Sequence, residues 1–246
     1  HYLELSQTEK NMVDIVCENF DHVIVICNSS NAMELGWVEG YEQIGSVISC
    51  PGAGETGFAA LGKILNGEVN PSGKLADTYV YDLTATPAFN NFGDFTYENM
   101  DEFGWEESNP FSGETKLNDV NFVNYVENIY VGYKFYETAY AEAEAGNMDF
   151  DYDKVVQYPF GYGLSYTSFS QKIVDSSETD EGIKLTVEVE NTGDVAGKDV
   201  VELYCNTPYY DGEIEKAHKV LCGYEKTPEL QPGESCTVTL TFTPYD

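Results

Sequence analysis

The fold of this chain is decided by two short runs, NGEVNPSGKL at residues 66–75 and YPFGYGLSYT at residues 158–167. The first run combines turn-forming Gly, Pro and Asn with apolar residues at fixed places, and the second combines Gly and Pro with them. Such a combination specifies a particular backbone path rather than a generic loop. We therefore take the two runs as the landmarks around which the remaining elements are arranged.

The chain has 246 residues, enough for a sizeable core and two domains. It carries 43 acidic residues against 12 basic ones, all of them lysine, and a formal net charge of -31. This charge would repel a phosphate backbone and anionic membrane surfaces, so we expect no nucleic-acid partner and no membrane contact from this segment. A neutral ligand such as a sugar is compatible with it. Both ends look cut, and we expect a longer parent protein.

The first 65 residues alternate between helical and strand patterns. Residues 6–20 predict a helix with a capping box formed by Ser6 and Glu9. Further elements follow in order: a strand at 23–27 buried on both faces, a short helix at 32–39, a strand at 46–50 and a helix at 56–65. This order predicts an α/β fold, a partial three-layer αβα sandwich with a mostly parallel sheet.

Periodicity fades between residues 79 and 128, where Asn, Asp, Glu, Phe and Gly dominate. Such a long structureless loop is unusual in a compact domain, so we read residues 84–128 as an acidic insertion; the alternative is a stretch that packs against a part of the protein absent from this chain. The aromatic run at 129–136 is expected to be extended, and residues 139–146 to be a weak helix or a loop.

After residue 167 the apolar period changes to two. Strands are predicted at four places: 183–190, 199–205, 219–224 and 235–243. Turn clusters at 191–193 and 231–233 separate them. The pattern predicts an antiparallel β-sandwich of immunoglobulin or fibronectin III type.

The six cysteines form no C-x-x-C pair, and we interpret them as reduced core residues. A disulfide among Cys205, Cys222 and Cys236 stays open, because spacing alone does not identify a pair. Unpaired cysteines slightly favour a cytoplasmic location over secretion, without fixing the compartment.

A G-x-G-x-x-G match from Gly52 to Gly57 follows a predicted strand and opens a helix, with Asp77 twenty residues further on. It supports an alternative hypothesis, a dinucleotide-binding domain. Asp77 does not clearly end a second strand, however, and a lone match is weak. The glycines otherwise serve a tight turn and close helix packing.

A longer series of motifs resembles the C-terminal half of glycoside hydrolase family 3. The motifs stand in the family's order: NSSN at 28–31, LGW at 35–37, PGAGE at 51–55, the first landmark run, YVGYKFY at 130–136, the second landmark run, VENTG at 189–193 and LQPGE at 230–234. The resemblance implies a family 3 C-terminal α/β sandwich domain at 1–166, incomplete at its start, and a fibronectin type III-like domain at 167–246.

The resemblance also implies a mechanism. Similar enzymes are retaining β-glycosidases, most often β-glucosidases, with a nucleophilic Asp on a (β/α)₈ barrel and an acid/base Glu just upstream of the segment matching this chain. No catalytic residue is therefore expected here, and Glu114, in a Ser-Gly-Glu-Thr string, is better read as a surface turn.

The implied partners are a β-linked oligosaccharide or glycoside and the barrel, in cis or as a second chain. Self-association into a homo-oligomer is left open, and neither a cofactor nor a metal is expected. The alternative is a non-catalytic carbohydrate-binding or scaffold module.

Three polar residues are candidates for contacting a sugar: Asn28, Asn31 and Glu55. They follow the two predicted parallel strands, and ligands of α/β sheets bind beyond the carboxyl ends of strands. The competing interpretation is that they cap helices and satisfy loop amides.

Overall fold

The protein is described by a computed structural model. It covers residues 3–91, 93, 95–99, 102, 105–118, 121–179, 182–210 and 212–243. An α/β unit precedes an antiparallel β-sandwich, as the patterns predict.

The first helix and the first two strands lie where they were predicted. Helix α1 spans Gln7–Asn19, and its capping box is complete, with the Ser6 amide donating to Glu9 at 2.8 Å. Strands β1 (Val23–Cys27) and β2 (Ile44–Ser49) pair in parallel. A 3₁₀ helix at Gly36–Gly40 joins them, and helix α2 (Phe58–Leu65) follows β2.

The prediction that the first strand is buried on both faces is wrong for the described chain. On β1, Ile24 is 50% exposed and Ile26 is 40% exposed. The alternate residues Val23, Val25 and Cys27 are half-buried. Apolar side chains of both helices are exposed as well: Met12, Ile15, Phe20, Phe58 and Leu65. The α/β unit therefore presents an uncovered apolar surface.

The segment predicted to be a structureless insertion contains short regular elements. These are strand β3 (Tyr79–Val80), a 3₁₀ helix (Leu83–Ala85), helix α3 (Pro87–Asn91) and strands β4 (Phe95–Thr96), β5 (Trp105–Ser108), β6 (Thr115–Asn118) and β7 (Asn121–Phe122). The strands β4 and β7 pair antiparallel, as do β5 and β6. Cross-strand aromatic contact holds the first ribbon, with the Phe95 and Phe122 rings 5.7 Å apart.

The expectation of an extended run at 129–136 is wrong. Helix α4 spans Tyr133–Glu144 and begins directly after Gly132, whose φ is 60°. The positive φ of Gly132 turns the chain at this point, so the aromatic run is divided between a turn and a helix. Within α4, Tyr133 and Tyr136 recur at helical spacing, and Tyr136 is buried.

Helix α4 packs over the end of the α/β unit. Helix α5 (Tyr152–Val155) leads into strand β8 (Val156–Tyr158), which pairs antiparallel with β3. The buried residues Val80, Tyr136 and Val156 form the core between them. This core is local to the insertion and its flanks.

The described residues of the sandwich form five strands. They are β9 (Phe169–Thr179), β10 (Gly182–Asn191), β11 (Val200–Cys205), β12 (Val220–Lys226) and β13 (Ser235–Phe242). The sheet β13-β10-β9 faces the pair β11-β12, and their side chains form one core. Four strands match the predictions, but β9 was not predicted, since nearly all its side chains are exposed and show no apolar alternation.

A buried asparagine connects the loops of the sandwich. Asn191 is fully buried, and its Nδ2 donates to the carbonyls of Val195 and Leu230, both at 2.9 Å. Its Oδ1 accepts from the Thr167 hydroxyl at 2.7 Å. Every polar atom of the side chain is thus satisfied, as burial requires.

Two cysteines are paired, which corrects the prediction of six reduced cysteines. Cys205 on β11 and Cys222 on β12 form a disulfide with their Cα atoms 6.2 Å apart. Cys17, Cys27, Cys50 and Cys236 are free thiols. Two of the six cysteines therefore no longer support a reducing compartment.

We predict that reduction with dithiothreitol lowers the free energy of unfolding of the sandwich by about 3 kcal/mol, because the disulfide closes a loop of 17 residues in the unfolded chain. Urea titrations followed by circular dichroism measure the difference. The Cys205→Ala/Cys222→Ala variant is the control and should not respond to reductant. Finding six thiols with Ellman's reagent in the unfolded, unreduced chain, instead of four, would contradict the pairing.

The two landmark runs pack against each other and form the joint between the domains. The Leu75 amide donates to the Tyr162 carbonyl at 2.8 Å, and the Gly161 amide donates to the Leu75 carbonyl at the same distance. A Cβ on Gly163 would clash with the Gly73 carbonyl oxygen, so only glycine fits there. The runs therefore meet backbone to backbone.

Asn70 is the centre of this joint. Its Oδ1 accepts from the Ser165 hydroxyl at 2.9 Å and from the Tyr166 amide at 2.8 Å. Its Nδ2 donates to the Ala196 carbonyl of the sandwich at 3.0 Å. One side chain thus connects the α/β unit, the interdomain segment and the second domain.

A second set of contacts joins α4 to β12 and the residues just before it. The Leu221 amide donates to the Tyr133 hydroxyl at 2.8 Å, and Lys219 Nζ lies 3.1 Å from Glu137 Oε2. The Tyr133 ring also stacks on Phe160 at 4.5 Å. The two domains are consequently held at two separate places.

We predict that Asn70→Ala loosens the joint, costing about 2 kcal/mol, because the Ala196 carbonyl and the Tyr166 amide lose their partner. Differential scanning calorimetry should then resolve two unfolding transitions where the parent has one, and chymotrypsin should cleave faster in the interdomain segment 159–168, which holds aromatic residues and no Lys or Arg. Asn66→Ala is the matched control, because within the described chain the Asn66 side chain bonds to nearby Glu68 and to no other residue. Equal behaviour of the two variants would contradict the assigned role.

Candidate functional site

The candidate site lies at the carboxyl edge of the β1–β2 sheet. The Cys50 amide donates to the Cys27 carbonyl at 2.9 Å, which continues the parallel pairing to the ends of both strands. The chain leaves this edge in two loops, residues 28–35 and 50–57. The structure thus places all three predicted residues on loops of one edge.

The first loop is shaped by Ser29. Its hydroxyl donates to the Asn31 carbonyl at 2.9 Å and accepts from the Asn31 amide N–H at 3.2 Å. These bonds use the Asn31 backbone and do not involve its side chain. Asn28 and Asn31 are both exposed, so their side-chain amides face solvent.

The second loop turns on two glycines of positive φ, Gly52 at 57° and Gly54 at 62°. The Gly57 amide donates to the Ala53 carbonyl at 2.9 Å, and a Cβ on Gly57 would clash with that same carbonyl oxygen. Glu55 is exposed in this tight turn. The loop is therefore compact and carries one carboxylate at its surface.

The interpretation of these residues as helix caps is not supported. The N-cap of α2 is Gly57 and that of the first 3₁₀ helix is Leu35, and neither makes a side-chain capping bond. The three side chains are exposed, and their contact with sugar stays a prediction.

The dinucleotide hypothesis is wrong. A ribose-binding acid would end a second parallel strand. Asp77 instead precedes β3, which pairs antiparallel with β8 and not with β1 or β2. Gly52 and Gly57 serve a tight turn and close packing, as the competing interpretation held.

One carboxylate near this edge was not identified from the sequence. Glu39 Oε1 accepts from the Tyr81 hydroxyl at 2.8 Å and from Gln157 Nε2 at 2.9 Å. The hydrogen bond to Glu39 raises the pKa of the Tyr81 phenol. Its partners are 42 and 118 residues away, so no local signal could have revealed the cluster.

Neither a metal site nor a membrane-spanning helix is found in the part of the chain that is described. It contains no group of three or more His, Cys, Asp or Glu residues suited to a metal ion. Among its helices, none is both long and apolar enough to cross a bilayer.

The comparison with protein families decides the affiliation. The family profile described as "Glycosyl hydrolase family 3 C-terminal domain" matches residues 1–166, and the "Fibronectin type III-like domain" matches residues 199–246. The chain belongs to glycosyl hydrolase family 3. The resemblance inferred from the motifs is confirmed.

Relatives of this family 3 chain agree with the assignment. It is 37% identical to beta-glucosidase A of Butyrivibrio fibrisolvens and 34% identical to a beta-glucosidase of Ruminococcus albus, over 97% and 98% of its own length. It spans only 26% and 21% of those relatives. It therefore matches about a quarter of their length.

Solved structures give the same result for the fold. The crystal structure of a beta-glucosidase from Paenibacillus barengoltzii superimposes with a TM-score of 0.77 at 32% identity, covering 97% of this chain and 22% of that one. A beta-glucosidase 3B from Thermotoga neapolitana, solved in complex with glucose, gives 0.72 at 28% identity. The expected α/β domain followed by a fibronectin III-like domain is confirmed.

Proposed function

We propose that this chain is the α/β and fibronectin III-like portion of a retaining β-glucosidase that hydrolyses terminal, non-reducing β-D-glucosyl residues. The observation that carries the proposal is its similarity, over nearly its whole length, to proteins named beta-glucosidase. Its strongly acidic character agrees with a neutral substrate.

The chemistry of such an enzyme needs two carboxyl groups about 5–5.5 Å apart, one as nucleophile and one as acid and then base. We assign both to parts of the parent protein outside this chain, the nucleophilic Asp to a (β/α)₈ barrel and the acid/base Glu to a loop upstream. Glu114 lies exposed in the β5–β6 turn, where its amide donates to the Ser112 hydroxyl at 3.3 Å and its Oε2 accepts from that hydroxyl at 3.4 Å. It has the surroundings of a surface turn.

The uncovered apolar surface supports a shared domain. A cavity of about 390 Å³ opens between α1 and β1, lined among others by Met12, Val16, Ile24 and Ile26. Large exposed apolar patches mark interaction sites. We assign this surface to the remainder of the α/β domain, carried by the same polypeptide or by a second chain.

The first experiment assays the purified chain with p-nitrophenyl β-D-glucopyranoside, alone and mixed with the separately produced remainder of the parent protein. We expect no turnover by the chain alone and activity in the mixture. Turnover by the chain alone would overturn the assignment of both carboxyl groups.

The same assay tests the apolar surface. Ile26→Glu should abolish complementation, at least 100-fold, because it places a charge in the buried contact at a cost of several kcal/mol. Ile214→Glu is the matched control, since Ile214 is 84% exposed and lies on the sandwich. Circular dichroism checks that both variants fold. Full complementation by Ile26→Glu would show that the surface is not the contact.

We predict that the β1–β2 edge forms one side of the glucoside-binding site. In the complete enzyme, Asn28→Ala, Asn31→Ala and Glu55→Gln should each raise KM for the aryl glucoside about fivefold, the effect of one lost hydrogen bond of about 1 kcal/mol. The melting temperature should not change, since none of these side chains caps a helix. Unchanged kinetics in all three variants would remove the edge from the site.

A further inference from the structure

A second cavity lies at the base of the insertion, away from the β1–β2 edge. It has a volume of about 170 Å³ and is formed where the start of β3, the second 3₁₀ helix, α3 and the start of α4 meet. At about 30 Å³ per water, this volume equals five or six water molecules. A cavity of this volume suits one small ring and is too small for an oligosaccharide.

Two residues that line this cavity each carry a buried polar atom without a hydrogen-bond partner among the described residues. Thr78 is 5% exposed, and its Oγ1 is unpartnered. Glu127 contributes a buried Oε2 that is likewise unpartnered, and both residues line the cavity. Buried polar groups are nearly always satisfied in folded proteins, so two exceptions in one cavity require a reason. A ligand that bonds to both would supply it.

The charge of the lining restricts the ligand. Asp77 and Glu127 supply carboxyl groups, and the lining residues include no Lys or His. An anion would meet these acids without a counter-charge. A neutral ligand with several hydroxyl groups can instead donate to the carboxylates, and it can accept from or donate to Thr78.

The rest of the lining argues against a cation. Among the described residues, no group of three or more His, Cys, Asp or Glu residues suited to a metal ion lies here, whereas calcium takes six to eight oxygen ligands. Most other lining residues are apolar or aromatic, including Tyr130, Phe135 and Tyr136. Their ring faces can make apolar contact with the C–H groups of a sugar ring. They cannot replace the water molecules that an ion loses on binding.

The titration behaviour of the lining agrees with a neutral, partly dry site. Burial raises the pKa of Asp77, against the opposing effect of the Thr78 amide, which donates to it at 2.8 Å. Burial, together with the charge of Asp77, raises the pKa of Tyr136 to about 12, so its hydroxyl keeps its proton at neutral pH.

We propose that this cavity is a binding site for a single neutral monosaccharide, separate from the β1–β2 edge, with Thr78, Glu127 and Asp77 as its hydrogen-bonding groups and the aromatic residues as its walls. The proposal does not depend on the catalytic assignment, because it concerns residues of this chain alone.

The experiment follows ¹H–¹⁵N correlation spectra of the full 246-residue chain during titration with D-glucose to 50 mM. We expect saturable shifts at residues around the cavity, and about fivefold weaker binding in Thr78→Val, which removes one hydroxyl at nearly constant volume. Thr237→Val is the matched control on the exposed face of β13 and should bind as the parent does. Asn28→Ala should also leave the cavity shifts unchanged.

Glu127→Gln is the second variant if Thr78→Val does not fold, and it should weaken binding by a similar factor. Parallel titrations with CaCl₂ and KCl test the cation alternative. Three outcomes would overturn the proposal: no glucose shifts at 50 mM, shifts confined to the β1–β2 edge, or shifts at the cavity that only the salts produce. Unchanged glucose binding in a folded Thr78→Val or Glu127→Gln variant would overturn it as well.

Discussion

The structure depends on the contact between two loops that are 83 residues or more apart along the chain. The Leu75 and Tyr162 backbones bond to each other, and Asn70 extends the contact to Ala196 in the sandwich. Because the loops meet through backbone atoms, their side chains at the contact must be small or absent, as at Gly163. This requirement explains the glycines at the contact, Gly163 beside the Gly73 carbonyl.

The α/β unit has an unusual distribution of apolar surface. Its described core around Val80, Tyr136 and Val156 is small and lies next to the insertion, whereas β1 and the outer side of α1 expose isoleucines. The sandwich, in contrast, has a closed core contributed by both of its sheets. We propose that further protein buries the exposed apolar surface of the first unit, whereas the described part of the sandwich encloses its own core. This contrast fits a chain that matches a quarter of the length of its relatives.

Two parts of the α/β unit carry polar groups in reach of a ligand, and they differ in kind. The β1–β2 edge is open and presents exposed amides and one carboxylate. The cavity beside α4 is partly enclosed and holds polar atoms without partners. Both are free of basic side chains at their named positions, so both suit neutral hydroxylated ligands. The excess of acidic over basic residues in the whole chain also favours a neutral ligand over an anionic one.

Local pattern alone decided the elements whose residues repeat at a clear period. Helix α1 has its capping box and apolar face within fourteen residues, and β10 and β13 alternate without interruption, so their assignment needed no distant contact. The ordered motifs likewise led to the family and to the candidate edge residues. Tertiary contact decided the remainder. Helix α4 begins where Gly132 turns the chain and Tyr136 finds a core, and β9 is a strand because β10 pairs with it. The pairing of Cys205 with Cys222, the role of Asn70 and the cavity around Thr78 arise from residues brought together by folding, which no short window of sequence contains.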